Sequence, residues 1–231
     1  MPNHVINKIT ITGDEDTIRD LLESIREDGE SLGTVDFNKI IPMPDSMNIE
    51  SGSNTDKGLK AYTDFMFIYT LAGTRDDVDL DCIPKKSEEA FLNARPDVTP
   101  AQWELGKTAY RNQSKYGAPT WYEWSIQNWG TKWNAYNSLE CVPGGDTTEL
   151  CFQTAWSPPQ PVLQRLSEQY PELAFSHAWA DEDIGFNCGI VEYKNGEITS
   201  EYLPQGDEAV SFACEQWGYD PEEYEEMTMN M

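Results

Sequence analysis

The two ends of the chain carry hydrophobic patterns that alternate between strand and helix. Residues 5–12 alternate apolar and polar side chains, which is typical of a half-buried strand. Apolar residues then recur at helical spacing over residues 18–25, behind an acidic start. Residues 34–41 have the composition of a second strand and are closed by prolines. Residues 1–44 are therefore predicted to form a strand, a helix and a strand.

The C-terminal part repeats this order. The predicted elements are strand 150–156, helix 157–166, strand 173–179, strands 186–194 and 197–203, and a last helix over residues 209–217. Trp156 is predicted to share the apolar face of its strand with Leu150 and Phe152. Asn195-Gly196 between the last two strands is a strong hairpin signal.

The middle of the chain, residues 45–147, differs from both ends, because its patterns are helical and polar. One helix is predicted to end near Gly73, and another to begin at Thr99, where Pro100 and Gln102 complete a capping signature. A third is predicted to begin at Thr120. The fold class is therefore predicted as α+β, a ferredoxin-like split βαβ sheet with a long helical insertion and an added C-terminal hairpin and helix. The predicted division is a first βαβ half at residues 1–44, the insertion at residues 45–147 and a second βαβ half with the acidic C-terminal helix at residues 148–231.

Four of the eight tryptophans lie within a short run that ends the predicted insertion. Each large ring buries roughly 150–250 Å² when packed, so the run forms either a core or a recognition surface. The candidate binding residues are Trp121, Trp124, Asn128, Trp129, Lys132, Trp133 and Asn134 from the run, with Trp156 and His177 from the predicted strands. In one interpretation they line a pocket in which a planar ligand stacks on indole. In the other, which we favour, the rings are core and the asparagines stabilise turns.

The net charge is −25, from 41 acidic and 16 basic residues, and it is unevenly distributed. From Asp181 onward the sequence has fourteen acidic residues and one basic residue, Lys194. Residues 99–137, in contrast, carry a small positive excess. Such a charge repels phosphate backbones and anionic membranes, so neither nucleic acid nor a membrane is expected as a direct partner. Two interpretations of the acidity remain open. The carboxylates either serve solubility alone, or they occupy the nucleic-acid groove of a host protein.

Few residues suggest a metal, a cofactor or catalysis. His4 and His177 are the only histidines, which excludes a multi-histidine metal site, and His177 is predicted to be a core residue. A spacing of acids that begins at Asp77 resembles a calcium loop, but Cys82 stands where that loop requires glycine. The five cysteines are odd in number and lack close pairing, which favours reduced thiols. We predict neither a metal nor a cofactor.

Three stretches carry a resemblance to a known family. They are Met1-Pro-Asn-His-Val-Ile-Asn-Lys-Ile-Thr-Ile-Thr-Gly13, the run Trp124 to Ala135 with its Asn-Trp-Gly-Thr-Lys-Trp-Asn sequence, and Phe152-Gln-Thr-Ala-Trp-Ser-Pro-Pro159. Together they resemble the Api92-like family, also called the YubB or DUF1281 family, of phages and plasmids. The family often has Trp-Cys where this chain has His4-Val5. The resemblance implies a mobile-element origin and a ferredoxin-like C-terminal part, and it implies no reaction.

These observations predict a non-catalytic, acidic accessory protein of the bacterial host cytoplasm that binds a host protein, such as a defence protein or a nucleic-acid-binding protein. One alternative is a module that sequesters a small planar or nucleotide-like ligand at the tryptophans. The other alternative is an unrecognised enzyme, which would require a hydrogen bond from His177 to a carboxylate inside an open cleft. The oligomeric state does not follow from the sequence.

Overall fold

A computed structural model describes residues 2–70, 78–222 and 224 of the chain. The chain divides into two compact units, one of residues 1–42 with 125–231 and one of residues 43–124, called here the sheet unit and the helical unit. The strands are β1 His4–Thr12, β2 Thr147–Ala155, β3 Ala174–Asp181, β4 Cys188–Lys194 and β5 Glu197–Tyr202. The helices are α1 Glu15–Ile25, α2 Ser53–Tyr69, α3 Lys85–Asn93, α4 Pro100–Tyr116, α5 Trp121–Asn128, α6 Gln160–Gln169 and α7 Asp207–Trp217. The three-part division at residues 44 and 147 stays a prediction.

The sheet unit is built on a five-stranded sheet in the order β2-β1-β3-β4-β5, in which every neighbouring pair is antiparallel. Because β1 is antiparallel to both β2 and β3, those two strands are parallel to each other, and α6 connects them. The second predicted βαβ half is therefore present, as a split βαβ unit with β1 in the gap between its strands. The hairpin is confirmed, since Asn195 and Gly196 join β4 to β5 with φ values of 51° and 78°. The α+β fold class is therefore confirmed.

Helices cover parts of both faces of the sheet. Val5, Ile9 and Ile11 of β1 are buried on one face, and the apolar stripes of α1 and α6 meet the sheet there. On the other face α7 packs through Ala209 and Ala213 against residues that include Ala180 of β3. The amphipathic pattern that predicted α1 is confirmed, because its four apolar residues are all buried.

The second strand predicted at residues 34–41 is wrong, and so is a first half of the βαβ type. Phe37–Lys39 form a single 3-10 turn, and among residues 2–40 only β1 joins the sheet. Two polar side chains hold the backbone amides that a strand ladder would use. The side chain of Asp36 accepts a hydrogen bond from the amide of Asn38, and Asn134 Oδ1 accepts one from the amide of Phe37 at 2.8 Å.

The helical unit is held by aromatic packing and by a close helix crossing. Tyr62, Phe65 and Trp103 form its buried ring cluster. The capping box predicted at Thr99 and Gln102 is present at the start of α4. The helix predicted to end near Gly73 begins at Ser53, and its predicted end lies outside the described residues.

Backbone meets backbone where α2 crosses α4. A Cβ atom on Gly106 would overlap the carbonyl group of Gly58, and one on Gly58 would overlap the carbonyl oxygen of Gln102. Glycine weakens a helix interior by about 1 kcal/mol relative to alanine, so the crossing holds two residues that the isolated helices would disfavour. The approach of the two helices therefore depends on the missing side chains.

We expect Gly106→Ala to destabilise the protein by about 2 kcal/mol, because overpacking at the crossing outweighs the gain in helix propensity. Urea titration followed by far-ultraviolet circular dichroism measures the free energy of unfolding. Gly144→Ala is the matched control, since no atom lies within 4 Å of a Cβ at that position. A stabilising effect of Gly106→Ala would show that the helices do not touch there.

Candidate functional site

The structure separates the predicted site residues into buried and exposed groups. Trp124 and Trp129 are buried, with 5% and 4% of their surface exposed, whereas Trp133 and Trp156 are exposed at 39% and 42%. Trp121 and Asn128 are half-buried. Trp129 packs edge-on against Phe37, and its indole N–H donates to the carbonyl of Ile41 at 2.9 Å. The core interpretation is thus confirmed for Trp124 and Trp129.

Asn134 and Gly130 organise the turns of the tryptophan run. Asn134 accepts from the amide of Phe37, and its Nδ2 donates to Asp36 Oδ1 at 2.8 Å. Gly130 follows α5 with a φ of 78°, and a Cβ there would press on Pro161. The predicted helix break at Gly130 is confirmed, and Asn134 serves the fold rather than the surface.

His177 belongs to a buried polar chain that crosses three strands. His177 Nε2 lies 3.0 Å from Asn7 Oδ1, and Asn7 Nδ2 donates to Thr154 Oγ1 at 2.9 Å. The Thr154 hydroxyl donates to the carbonyl of Ser157 at 2.8 Å, and the Ser157 hydroxyl donates to the carbonyl of Gly130 at the same distance. We call these five residues the buried polar chain; it links β3, β1 and the end of β2 to the turn of the tryptophan run.

The chemistry of His177 is that of a neutral core residue. Since Asn7 Oδ1 only accepts, Nε2 of His177 carries the proton, and Nδ1 has no hydrogen-bond partner within the described part of the chain. Complete burial lowers the pKa of His177 to about 3, because the charged imidazolium would lose its hydration. The hydrogen bond to an amide in a closed interior is not the carboxylate pairing in an open cleft that the enzyme alternative requires.

We expect His177 to make the protein acid-sensitive. The folded protein keeps His177 neutral down to about pH 3, whereas the unfolded chain protonates it below about 6.5, so stability falls as the pH drops through this window. The slope is about 1.4 kcal/mol per pH unit. Urea unfolding of wild type and His177→Gln across this range should show a shallower decline for the variant, which keeps a donor to Asn7. Equal slopes would mean that His177 is not held neutral.

An exposed cluster forms where the tryptophan run meets the end of β2. Lys132 Nζ lies 4.9 Å from the ring centroid of Trp133 and 4.5 Å from that of Trp156, within the range of a cation–π contact. The ring of Trp133 is edge-on to Tyr136 at 6.3 Å, and Tyr136 is edge-on to His4 at 5.7 Å. We call these five residues the aromatic patch.

Hydrogen bonds fix the far end of the aromatic patch. The Tyr136 hydroxyl donates to the carbonyl of Thr154 at 3.0 Å, so it accepts from His4 Nδ1 at 2.8 Å, and His4 carries its proton on Nδ1. Burial and the nearby Glu182 carboxylate raise the pKa of Tyr136. The phenol is therefore a neutral structural group.

Trp156 does not lie on the apolar face of its strand, contrary to the prediction. Strand β2 ends at Ala155, and Trp156 follows with a φ of 71°, a left-handed conformation that a bulky residue rarely adopts. The backbone is clamped on both sides: its N–H donates to the carbonyl of Asn3 at 2.9 Å, and its carbonyl accepts from Asn187 Nδ2 at 3.0 Å. Left-handed backbone at such a residue costs of order 1–3 kcal/mol, and strain of this kind clusters at functional sites.

Carboxylates lie beside the aromatic patch. Asp181 is buried and accepts from Asn3 Nδ2 at 3.0 Å and from Asn187 Nδ2 at 3.3 Å, the two residues that clamp Trp156. Glu182 Oε1 accepts from the amide of His4 at 3.0 Å. The tryptophan run is the least acidic part of the sequence, yet the fold places acidic groups next to it.

Sequence reasoning missed part of this site. His4 and Asn3 lie in the N-terminal motif that resembles the Api92-like family, and that motif was the signal that could have found them. Tyr136 ends the tryptophan run and is not among the nine predicted residues. Nothing in the sequence points to Asn187. Of the nine predicted residues, the structure brings Lys132, Trp133 and Trp156 together at the surface.

A cleft of about 310 Å³ lies between α3 and α4 of the helical unit. Its buried charge is already paired, because Lys107 Nζ binds both oxygens of Glu88, at 2.7 and 2.9 Å. Burial and the Glu88 carboxylate raise the pKa of Tyr62, whose hydroxyl donates to Glu88. Because Lys107 and Glu88 neutralise each other, neither charge in this cleft is available to a ligand. The cleft is therefore a weaker candidate for a binding site than the aromatic patch.

Groups of metal ligands and membrane-spanning helices were both sought among the described residues. No three His, Cys, Asp or Glu side chains among residues 2–70, 78–222 and 224 are grouped so as to hold a metal ion. Asp77, which opens the calcium-like spacing, lies outside the described residues. No helix in the described part of the chain is both long and apolar enough to span a bilayer. All five cysteines are free, as predicted.

Comparison with known proteins supports the predicted family. Residues 128–229 match the family model described as "Ferredoxin-like domain in Api92-like protein". Over these residues the chain is similar to that family of domains, which confirms the resemblance predicted from sequence. The crystal structure of a protein api92 from Yersinia pseudotuberculosis is similar to the chain at 14% identity and a TM-score of 0.46, covering 89% of this chain and 99% of that one. No curated protein matches the chain.

We expect Trp156→Gly to be about 1 kcal/mol more stable than Trp156→Ala, because both lose the indole ring but only glycine adopts a positive φ without strain. Trp133 supplies the control, since its φ is not positive and alanine should there be the more stable replacement. Thermal or urea unfolding of the four variants measures the two differences. The same sign at both positions would contradict the strained backbone at Trp156.

Proposed function

We propose that the chain is a non-catalytic accessory protein of a phage or plasmid that binds a host protein through the aromatic patch, in the cytoplasm of the bacterial host. The observation that supports it most is the pair of exposed tryptophans, Trp133 and Trp156, which both pack against Lys132 on the surface. Tryptophan is enriched among residues that dominate binding energy at protein interfaces. Exposed rings of this size contribute little to the stability of the chain that carries them.

The rigidity of the aromatic patch supports the same function. The backbone of Trp156 is clamped by Asn3 and Asn187 at the expense of strain, so the point from which its ring extends is fixed before any partner arrives. A side chain that is already ordered loses less conformational entropy on binding. Solubility or packing of the sheet unit gives no reason to hold a strained, exposed tryptophan.

The charge of the chain supports a basic partner. A net charge of −25 attracts positively charged surfaces and increases the rate of encounter with them. Proteins that bind nucleic acid carry such surfaces, so a host nucleic-acid-binding protein or defence protein fits the proposal. Direct binding of nucleic acid does not, because the phosphate backbone would be repelled.

The origin proposed here follows from the family. Four residues of the aromatic patch, Lys132, Trp133, Tyr136 and Trp156, lie within the Api92-like domain at residues 128–229. The domain description assigns no activity, and the phage or plasmid origin rests on the resemblance alone.

A second candidate function is the sequestering of a small planar or nucleotide-like ligand, and the position of Lys132 between two indole rings favours it. Stacking of one base on an aromatic ring contributes about 1–3 kcal/mol. A phosphate on such a ligand would meet one ammonium group, the Glu182 carboxylate near Tyr136 and the field of a strongly acidic chain. We therefore place protein binding first, and catalysis at the buried His177 last.

The test is capture of host proteins from lysate by wild-type chain and by the double variant Trp133→Ala/Trp156→Ala, at low and moderate salt. We expect the double variant to capture at least tenfold less of the partner than wild type does, since interface tryptophans contribute about 2 kcal/mol or more each to the binding free energy. The matched control is Ile198→Ala/Tyr202→Ala on β5, two apolar residues of the sheet unit that are at least as exposed as the two tryptophans. No capture by wild type at either salt, or equal loss in both double variants, would contradict the proposal.

A further inference from the structure

Within the aromatic patch the chain's own lysine fills a cation site. Lys132 is the cation, and its ammonium lies 4.9 Å from the ring of Trp133 and 4.5 Å from the ring of Trp156. Both tryptophan residues remain exposed with the lysine in place, at 39% and 42%. The rings therefore leave room for a group that binds to them from solution.

The electrostatics around the aromatic patch select a cation. Indole faces attract positive charge. Glu182 is exposed and contacts the His4 end, while Asp181 and Asp183 lie beside it in the chain. The chain carries −25 overall. A positively charged group is thus favoured by the rings, by the neighbouring carboxylates and by the field of the whole protein.

We propose that the aromatic patch binds an arginine side chain of a basic partner, and that Lys132 occupies this position in the free protein and is displaced on binding. The inference rests on the proposed function and names the partner chemistry at the same site. A guanidinium group is planar and weakly hydrated, so it stacks on indole better than an ammonium group does. Its fork of N–H donors also matches a carboxylate, and Glu182 supplies one at the His4 end of the aromatic patch.

Removal of Lys132 changes the binding affinity in opposite directions for a cationic and an anionic ligand. If Lys132 blocks the site, its removal strengthens binding of an arginine peptide. If Lys132 instead holds an anionic ligand, as a nucleotide-sequestering module requires, its removal weakens binding. The effect of one substitution therefore separates the two ligand chemistries.

The experiment measures dissociation constants by isothermal titration calorimetry for the full chain with oligo-arginine, oligo-lysine and oligo-glutamate peptides of equal length, and with adenosine monophosphate. We expect oligo-arginine to bind about tenfold more tightly than oligo-lysine, and this ratio to fall to about one in Trp133→Ala/Trp156→Ala. Lys132→Gln should bind oligo-arginine several-fold more tightly than wild type does. The matched control is Lys194→Gln, which removes one exposed positive charge from the end of β4.

Three outcomes would overturn the inference. They are an arginine preference that survives loss of both indoles, a Lys132→Gln effect no larger than that of Lys194→Gln, and binding of adenosine monophosphate that Lys132→Gln abolishes. If one of these occurs while capture of a host protein still depends on Trp133 and Trp156, the arginine inference alone is wrong. If capture does not depend on them either, the proposed function is wrong as well.

Discussion

The hydrogen bond between Asn7 and Thr154 joins a polar side chain at the centre of the sheet to the segment that carries the exposed tryptophan. Asn7 lies on the buried face of β1, where an unpaired amide would cost roughly 1–3 kcal/mol. Its Nδ2 donates to the carbonyl of Val5 and to Thr154, and its Oδ1 accepts from His177. A shift of β1 by one residue would turn Asn7 out of the core and leave these partners unpaired. The register of the three central strands is therefore specified by polar as well as apolar groups.

The aromatic patch depends on this register. The Thr154 hydroxyl holds the carbonyl of Ser157, so the chain between them, which includes Trp156, has both ends fixed. Asn3, four residues before Asn7 on the same segment, holds the Trp156 amide. The Ser157 hydroxyl in turn holds Gly130, two residues before Lys132. The segments that carry Lys132 and Trp156 are thus both positioned by a series of hydrogen bonds that leads back to Asn7 on the buried face of β1.

Sequence patterns predicted the elements whose causes are local. The α1 stripe, the capping box at Thr99 and the Asn195-Gly196 turn each depend on residues within a few positions of one another. The strand wrongly predicted at residues 34–41 and the wrong position predicted for Trp156 have a different cause, namely hydrogen bonds from residues distant in the sequence. At residues 34–41, the side chain of Asn134, distant in the sequence, accepts the hydrogen bond of the Phe37 amide. At Trp156, Asn3 and Asn187 hold a backbone conformation that no neighbouring residue indicates.

The site shows the same division between local and distant causes. Burial of Trp124 and Trp129 followed the expectation that indoles pack first, yet the spacing of the run could not separate them from the exposed Trp133. Charge counted along the sequence placed the tryptophans in a basic stretch, whereas the pairing of β1 with β3 brings Glu182 to His4. The sign of the charge around a ligand is set by neighbours in space, so the local basic excess did not indicate an anionic ligand. Lys132 packs against two indole rings, and the Glu182 carboxylate lies at the His4 end of the same aromatic patch, so the surroundings in space favour a cationic over an anionic ligand.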